Sequence, residues 1–295
     1  MKRPPQYLDI RWDDPFWHVV RLVVDEIPRR RNKPPILTET QILPALEKAG
    51  SEVTAGLGRY LTARMELVPK IAAYLEFRHE AAIQLLLKAR SEDEALIDFA
   101  NLSKEIVARY GTRSKDHHQS SKVMVQTVDI LTRKVCLDRG FTANLSPQKR
   151  ATLIGEQHIW VSPRRLDGAL PSLVNPVGLW EIKEYWGGTA GGSKMSDVIY
   201  ECQLVGTELR AFADLHGASA KHYAVMDGAN QWHSRVSDLR RAIDLLCSGI
   251  LDELVVGSEV LSDWPRIVNE LCDLALEIPQ QATRSGAAAN APRLW

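Results

Sequence analysis

The sequence predicts an α/β protein in which a mixed sheet flanked by helices follows a helical N-terminal region. Three observations carry that prediction. Residues 38–111 hold apolar side chains at helical spacing. Short strand-like runs then appear between residues 158 and 186, at 222–226 and at 253–256. A long amphipathic helix separates the first group of runs from the later ones, as in a sheet built with helical crossovers. The expected organisation is a mainly helical region over 1–112, a core over 113–280 and a disordered, small-residue tail over 281–295.

Taken in order, residues 1–35 read as irregular, rich in Trp and Pro. They end in the basic run Arg29-Arg30-Arg31-Asn32-Lys33, read as a solvated linker with phosphate contact as its sharper alternative. Thr38 is placed to cap a helix that Gly50 ends. Leu57, Leu61, Val68, Ile71 and Leu75 continue the helical spacing, with Pro69 expected to kink it. Ser91 and Glu94 form a capping box, after which Leu96, Ile97, Ala100, Ile106 and Val107 give one apolar face closed by Gly111. The polar stretch 113–122 holds His117-His118; adjacent side chains diverge on either kind of element, so it reads as a surface loop. Val123, Val128, Leu131 and Val135 mark a helix that Arg139-Gly140 stops. Val198, Cys202, Val205, Leu209 and Phe212 define the buried stripe of the long helix, for which Ser196 is the expected cap. Helices are also expected over 239–250 and 264–276.

Composition narrows the function. The 295 residues carry 45% hydrophobic residues, enough for a sizeable core, and a formal net charge of zero. That balance argues against an indiscriminate polyanion binder but leaves room for local basic patches. No apolar run reaches a membrane-spanning length and no secretory leader is visible, so a cytoplasmic protein without membrane contact is expected. Cys136, Cys202, Cys247 and Cys272 match no zinc spacing and sit in apolar, helix-like surroundings, so buried thiols are expected.

The chemistry concentrates in Arg164-Arg165-Leu166-Asp167-Gly168 and, after a loop, Leu179-Trp180-Glu181-Ile182-Lys183-Glu184-Tyr185. The period of a strand puts Glu181, Lys183 and Tyr185 on one face, with Trp180 and Ile182 on the other. Opposite charges on a face meant for burial need a partner or a metal. The competing reading is an exposed edge strand whose charges discourage pairing. Two carboxylates with an adjacent backbone carbonyl make a hard oxygen set suited to Mg2+, with Mn2+ able to substitute. Phosphodiester cleavage needs an activated water and neutralisation of charge on the phosphate; such an ion supplies both, and a neighbouring lysine can stabilise that charge or orient the water. The run Gly187-Gly188-Thr189-Ala190-Gly191-Gly192-Ser193-Lys194 misses the phosphate-loop template because Ser193 intervenes, and reads as a mobile loop able to approach DNA.

With Asp167, thirteen residues and then Glu181-Ile182-Lys183, the sequence resembles the PD-(D/E)xK nuclease superfamily, and within it the bacterial restriction-type endonucleases. The resemblance covers roughly residues 113–226 and implies a restriction-endonuclease-like sheet. It implies that Asp167 and Glu181 are metal ligands and that Lys183 is the catalytic lysine. The extra glutamate that many relatives carry on the first core helix is missing; Gln126 and Asp129 are the nearest stand-ins, and Glu156 and, less favourably, Glu184 are further auxiliary acids. The residue before Asp167 is Leu166 rather than proline, and the Gln-x-x-x-Tyr signature of some branches is absent. Arg164, Arg165 and Lys194 are candidate phosphate contacts. The implied activity is Mg2+-dependent cleavage of double-stranded DNA in restriction or phage defence, by a homodimer with one site per strand. The alternatives are a structure-specific repair or recombination nuclease and a noncatalytic DNA-binding adaptor on the same fold.

Overall fold

The structure, a computed structural model, describes residues 1–27, 36–109, 121–186 and 193–277, with side chains omitted at 193–195. The basic run 29–33, the histidines 117–118, most of the glycine loop, the Lys194 side chain and the tail 281–295 lie outside the described residues.

The elements run α1 (Pro15–Glu26), α2 (Glu39–Ala49), α3 (Glu52–Thr62), α4 (Leu67–Leu86), α5 (Glu92–Leu102) and α6 (Val123–Arg139). They continue as β1 (Thr152–Ile154), β2 (Ile159–Val161), β3 (Gly168–Leu170), β4 (Gly178–Glu184), α7 (Ser193–His216) and β5 (Lys221–Asp227). The last are α8 (Ala229–Ser234), α9 (Val236–Cys247), β6 (Glu253–Val256) and α10 (Val260–Glu277). The main sheet has the order β3-β4-β5-β6; β3 is antiparallel to β4, and β4, β5 and β6 are parallel. β1 and β2 form a separate antiparallel hairpin. The protein is therefore mixed α/β. No described helix is long and apolar enough to cross a membrane.

Strand alternation distributes side chains to two helical layers. Trp180, Ile182, Tyr223, Val225 and Val255 pack with α5, α6 and α10. Ala224, Met226 and Leu254 turn the other way, into a core shared by α1 to α4 and α9. On that same side Leu179 joins Leu166, Trp160 and the Val205, Leu209 and Phe212 stripe of α7. The four cysteines are buried and free of disulfides.

Most caps act as expected. Gly50 ends α2 and Gly140 ends α6, both with positive φ, and the Ser91–Glu94 capping box opens α5. Four expectations are corrected. Residues 1–35 are not irregular throughout: Asp14 accepts from the Phe16 amide, Pro15 sits in the first turn, and Phe16, Trp17, Val19, Val20 and Val23 form the buried face of α1. α5 stops at Leu102 because Ser103 turns extended and its hydroxyl takes the Glu105 amide, leaving Ile106 92% exposed. Pro69 makes no kink. It lies in the first turn of α4, where an amide has no intrahelical acceptor to lose. Ser196 lies inside α7, its hydroxyl joined to Arg235 at 2.8 Å, so it is not the cap.

Candidate active site

β4 is an interior strand, hydrogen-bonded to β3 on one side and β5 on the other. Glu181 is fully buried, so the edge-strand reading does not hold. The register sets Gly168 opposite Trp180. Asp167 immediately precedes β3, where the chain leaves this register, and its charge acts on both Glu181 and Lys183. The Asp167 amide donates to the Trp180 carbonyl at 3.1 Å, and its Oδ2 accepts from the Ile182 amide at 2.7 Å. β3 ends before it can satisfy that amide with backbone, and the carboxylate does so instead. The side chain is thereby oriented beside Glu181.

Gly168 makes this pairing possible. A Cβ there would lie 1.9 Å from the Trp180 indole, which packs edge-on against Trp264 at 5.3 Å between ring centres. The Asp-Gly pair thus combines a carboxylate that accepts from the Ile182 amide with a close approach to Trp180.

Lys183 Nζ lies 3.1 Å from Glu181 Oε2 and 3.0 Å from Glu201 Oε2. Arg164 Nη1 lies 3.2 Å from Glu181 Oε1 and also pairs with Glu201. Glu201, on α7, is the member of this group that the sequence did not announce. Its only signal is its place beside Cys202 on the flank of the apolar stripe, and that becomes informative once α7 is known to cross the face of β4.

Asp129, on α6, pairs with Arg133 at 3.9 Å and feels the charge of Asp167. Burial, reinforced by Asp167 and Glu105 and opposed by Arg133, pushes the Asp129 carboxyl up to about 7. Burial likewise pushes Glu181 up to about 7, with Asp167 adding to it and Lys183 and Arg164 opposing it. For Lys183 burial favours the neutral amine, yet Glu181 and Asp167 outweigh it and raise its pKa, so the amine stays protonated. Among the described residues, Glu181 Oε1 and Asp129 Oδ1 are buried without a hydrogen-bond partner. The Arg164 contact to Glu181 Oε1 is therefore an ion pair without hydrogen-bonding geometry.

The other candidates fall elsewhere. Gln126 accepts from the Ala108 amide at 2.6 Å and donates to the Ile106 carbonyl at 3.3 Å, so its amide is committed to holding the chain after α5. Glu156 is exposed in the turn between β1 and β2. Glu184 points to the opposite face, where it accepts from the Met124 amide at 2.8 Å and the Trp186 indole at 3.0 Å. Arg165 is exposed next to Arg164. Among the described residues no group of three or more His, Cys, Asp or Glu side chains is arranged to hold a metal ion. The pair Asp167 and Glu181 is a two-carboxylate set, and Mg2+ commonly takes only one or two carboxylates and keeps several waters.

No curated protein and no solved structure matches the chain. A family model described as a domain of unknown function (DUF7687) matches residues 90–271, more than half of the chain and all of Asp129, Arg164, Asp167, Glu181, Lys183 and Glu201, and the chain belongs to that family.

Proposed function

We propose that this protein is a metal-dependent DNA endonuclease of restriction or phage-defence type, hydrolysing phosphodiester bonds of double-stranded DNA as a homodimer. The observation that carries the reading is the charge balance around β4. Three carboxylates, of Asp167, Glu181 and Glu201, face two cations, Lys183 and Arg164, while Asp129, which feels the Asp167 charge, pairs with Arg133 at 3.9 Å. Two of the acids keep a buried oxygen with no hydrogen bond. An ionised carboxylate in that position is costly unless a further cation joins it. The residues present therefore fit a divalent ion, with Asp167 and Glu181 as its protein ligands together with an adjacent backbone carbonyl, and Asp129 behind them.

The bound ion would supply an activated water and neutralise charge on the phosphate. The protein's own residues do the rest. Asp167 is held in orientation by the Ile182 amide. Lys183, kept protonated by its acidic neighbours, acts as a hydrogen-bond donor and a positive charge toward a phosphate oxygen rather than as a base. Arg164 is placed to do the same from the other side of Glu181. Glu201 holds both cations in reach of the site until a phosphate competes for them. Arg165 and Lys194 are the remaining candidates for backbone contact.

Plasmid cleavage with Mg2+ tests the proposal, beside gel shifts in Ca2+. Glu181→Ala and Lys183→Ala should both abolish cutting, while the Lys183 variant still shifts DNA, because affinity is spread along the phosphate backbone. Wild-type cutting by the Glu181 variant would remove this site from the chemistry. Binding without cutting by the wild type would favour the adaptor.

A further inference from the structure

A second site lies on the other flank of α7. A cleft of about 620 Å3 opens between α1 on one side and α7, α8 and α9 on the other. That volume falls within the ~300–1,000 Å3 usual for small-molecule sites. The floor is polar and preorganised. Arg78, buried, grips Asp244 with Nε at 2.6 Å from Oδ1 and Nη2 at 2.7 Å from Oδ2, and the Tyr74 hydroxyl donates to the same carboxylate at 2.6 Å. Beside them Arg240, also buried, sets Nη2 3.2 Å from His79 Nδ1.

The charge around the cleft is positive. Asp244 is balanced by Arg78. Asp238 is shared between Arg235 at 2.8 Å and Arg241 at 3.3 Å, two guanidinium groups for one carboxylate. Arg21 lines the α1 wall and, among the described residues, has no carboxylate within ion-pair distance; Asp25 is the remaining acid of the lining. Aromatic surface accompanies this charge: Tyr200 is 58% exposed, and Trp12, just before α1, also lines the cleft, its indole donating to Asp214 of α7 at 3.0 Å.

We propose that this cleft binds a free mono- or dinucleotide. Guanidinium forks match phosphate oxygens in pairs, and an open aromatic face offers a base the stacking that single bases use on proteins. The closed floor and the volume suit one or two nucleotides rather than a strand passing through. Tyr200 and Gln203 face the cleft while Glu201, between them on α7, reaches Lys183. The inference does not depend on the nuclease reading.

The test is calorimetric titration of the full chain with AMP, ADP, dAMP, adenosine, inorganic phosphate and a single-stranded dodecamer. A nucleotide should bind saturably and more tightly than either adenosine or phosphate. Arg21→Glu and Arg241→Gln, both at exposed positions, should weaken it by about tenfold or more, one decade being about 1.4 kcal/mol, with Asp238 still held by Arg235 in the second variant. Tyr200→Ala should weaken nucleotide binding and leave phosphate binding unchanged. Three results would overturn the proposal: no saturable nucleotide binding, binding indifferent to Arg21 and Arg241, or a dodecamer bound more tightly than any nucleotide through these same arginines, which would make the cleft a strand path. The Glu181→Ala protein should bind nucleotide like the wild type, so failure here is separable from failure of the nuclease reading.

Discussion

At the scale of single residues, Glu181 carries a cost that can be measured without any assay of activity. Its carboxyl is pushed from an ordinary 4.5 up to about 7, chiefly by burial. The folded protein therefore binds this proton more tightly than the unfolded chain does. By linkage, stability contributed by the protonated group is present below about pH 4.5 and is lost as pH rises toward 7. Glu181→Gln keeps the shape and removes the ionisation. In EDTA at pH 8 the variant should be more stable than the wild type, by at most ~3 kcal/mol, and the difference should vanish near pH 4.5. Adding Mg2+ at pH 8 should stabilise the wild type and leave the variant little changed. Thermal melts at the two pH values, with and without the ion, decide it. A variant less stable than wild type at pH 8 in EDTA would mean that Lys183 and Arg164 already compensate the charge, and the argument for a further cation would fail.

At the scale of elements, the tight contact between β3 and β4 sets the pairing on which Asp167 depends. Trp180 is fully buried against Trp264, so its ring has no room to yield to a Cβ at position 168. Gly168→Ala should destabilise the protein by about 1–3 kcal/mol, the range of an overpacked core. It should also lower the proposed cleavage activity beyond what the lost stability accounts for, because Asp167 is the adjacent residue. Gly140→Ala, a positive-φ cap with open space around it, is the control: its effect should be on stability alone. Elements of this kind divide by how local their causes are. The caps at Gly50, Gly140 and Ser91, the alternation along β4 and the stripe of α7 were legible because each is written in a few neighbouring residues. α1 was obscured by the prolines and tryptophans around it, although Asp14-Pro15 is a sound helix start. The end of α5 was misread because Ile106 and Val107 extend an apolar pattern that Ser103 has already broken. In the candidate site, Glu181 and Lys183 could be singled out from strand period, and Asp167 through the nuclease resemblance that its spacing to them carries. Glu201 could not, since it joins Lys183 across 18 residues only after α7 folds over the sheet.

At the scale of the whole molecule, the N-terminal helices form a layer on one face of the sheet, yet they do not stand apart from it. Ile71, Tyr74 and Leu75 of α4 share a core with Leu239, Ile243 and Leu246 of α9 and with Ala224, Met226 and Leu254 of the sheet. Lys2 bridges to Glu253 at the β6 edge, and Arg3 donates to the Cys247 carbonyl at 2.8 Å. The family match nonetheless begins at residue 90, where a different set of bonds starts. The Arg90 amide and guanidinium both reach buried Asp227 at the end of β5, at 2.7 and 2.9 Å, and α5 packs on α6 across the opposite face. Two outcomes are thus in competition for a chain cut to residues 90–277: the matched region folding as a unit, or the sheet failing once one of its faces is stripped. The packing favours the second. Removing α1 to α4 uncovers the apolar face of α9 and leaves Asp244 without Arg78 and Tyr74, and a carboxylate stripped of buried partners gives no stability in return for the lost apolar contacts. The shortened chain should melt without a cooperative transition and bind a dye specific for exposed apolar surface, while adding Asp244→Asn should not restore it, because the larger deficit is the uncovered core. A cooperative melt within a few degrees of the full chain would show instead that the N-terminal layer is an accessory, attached to a sheet that holds itself together.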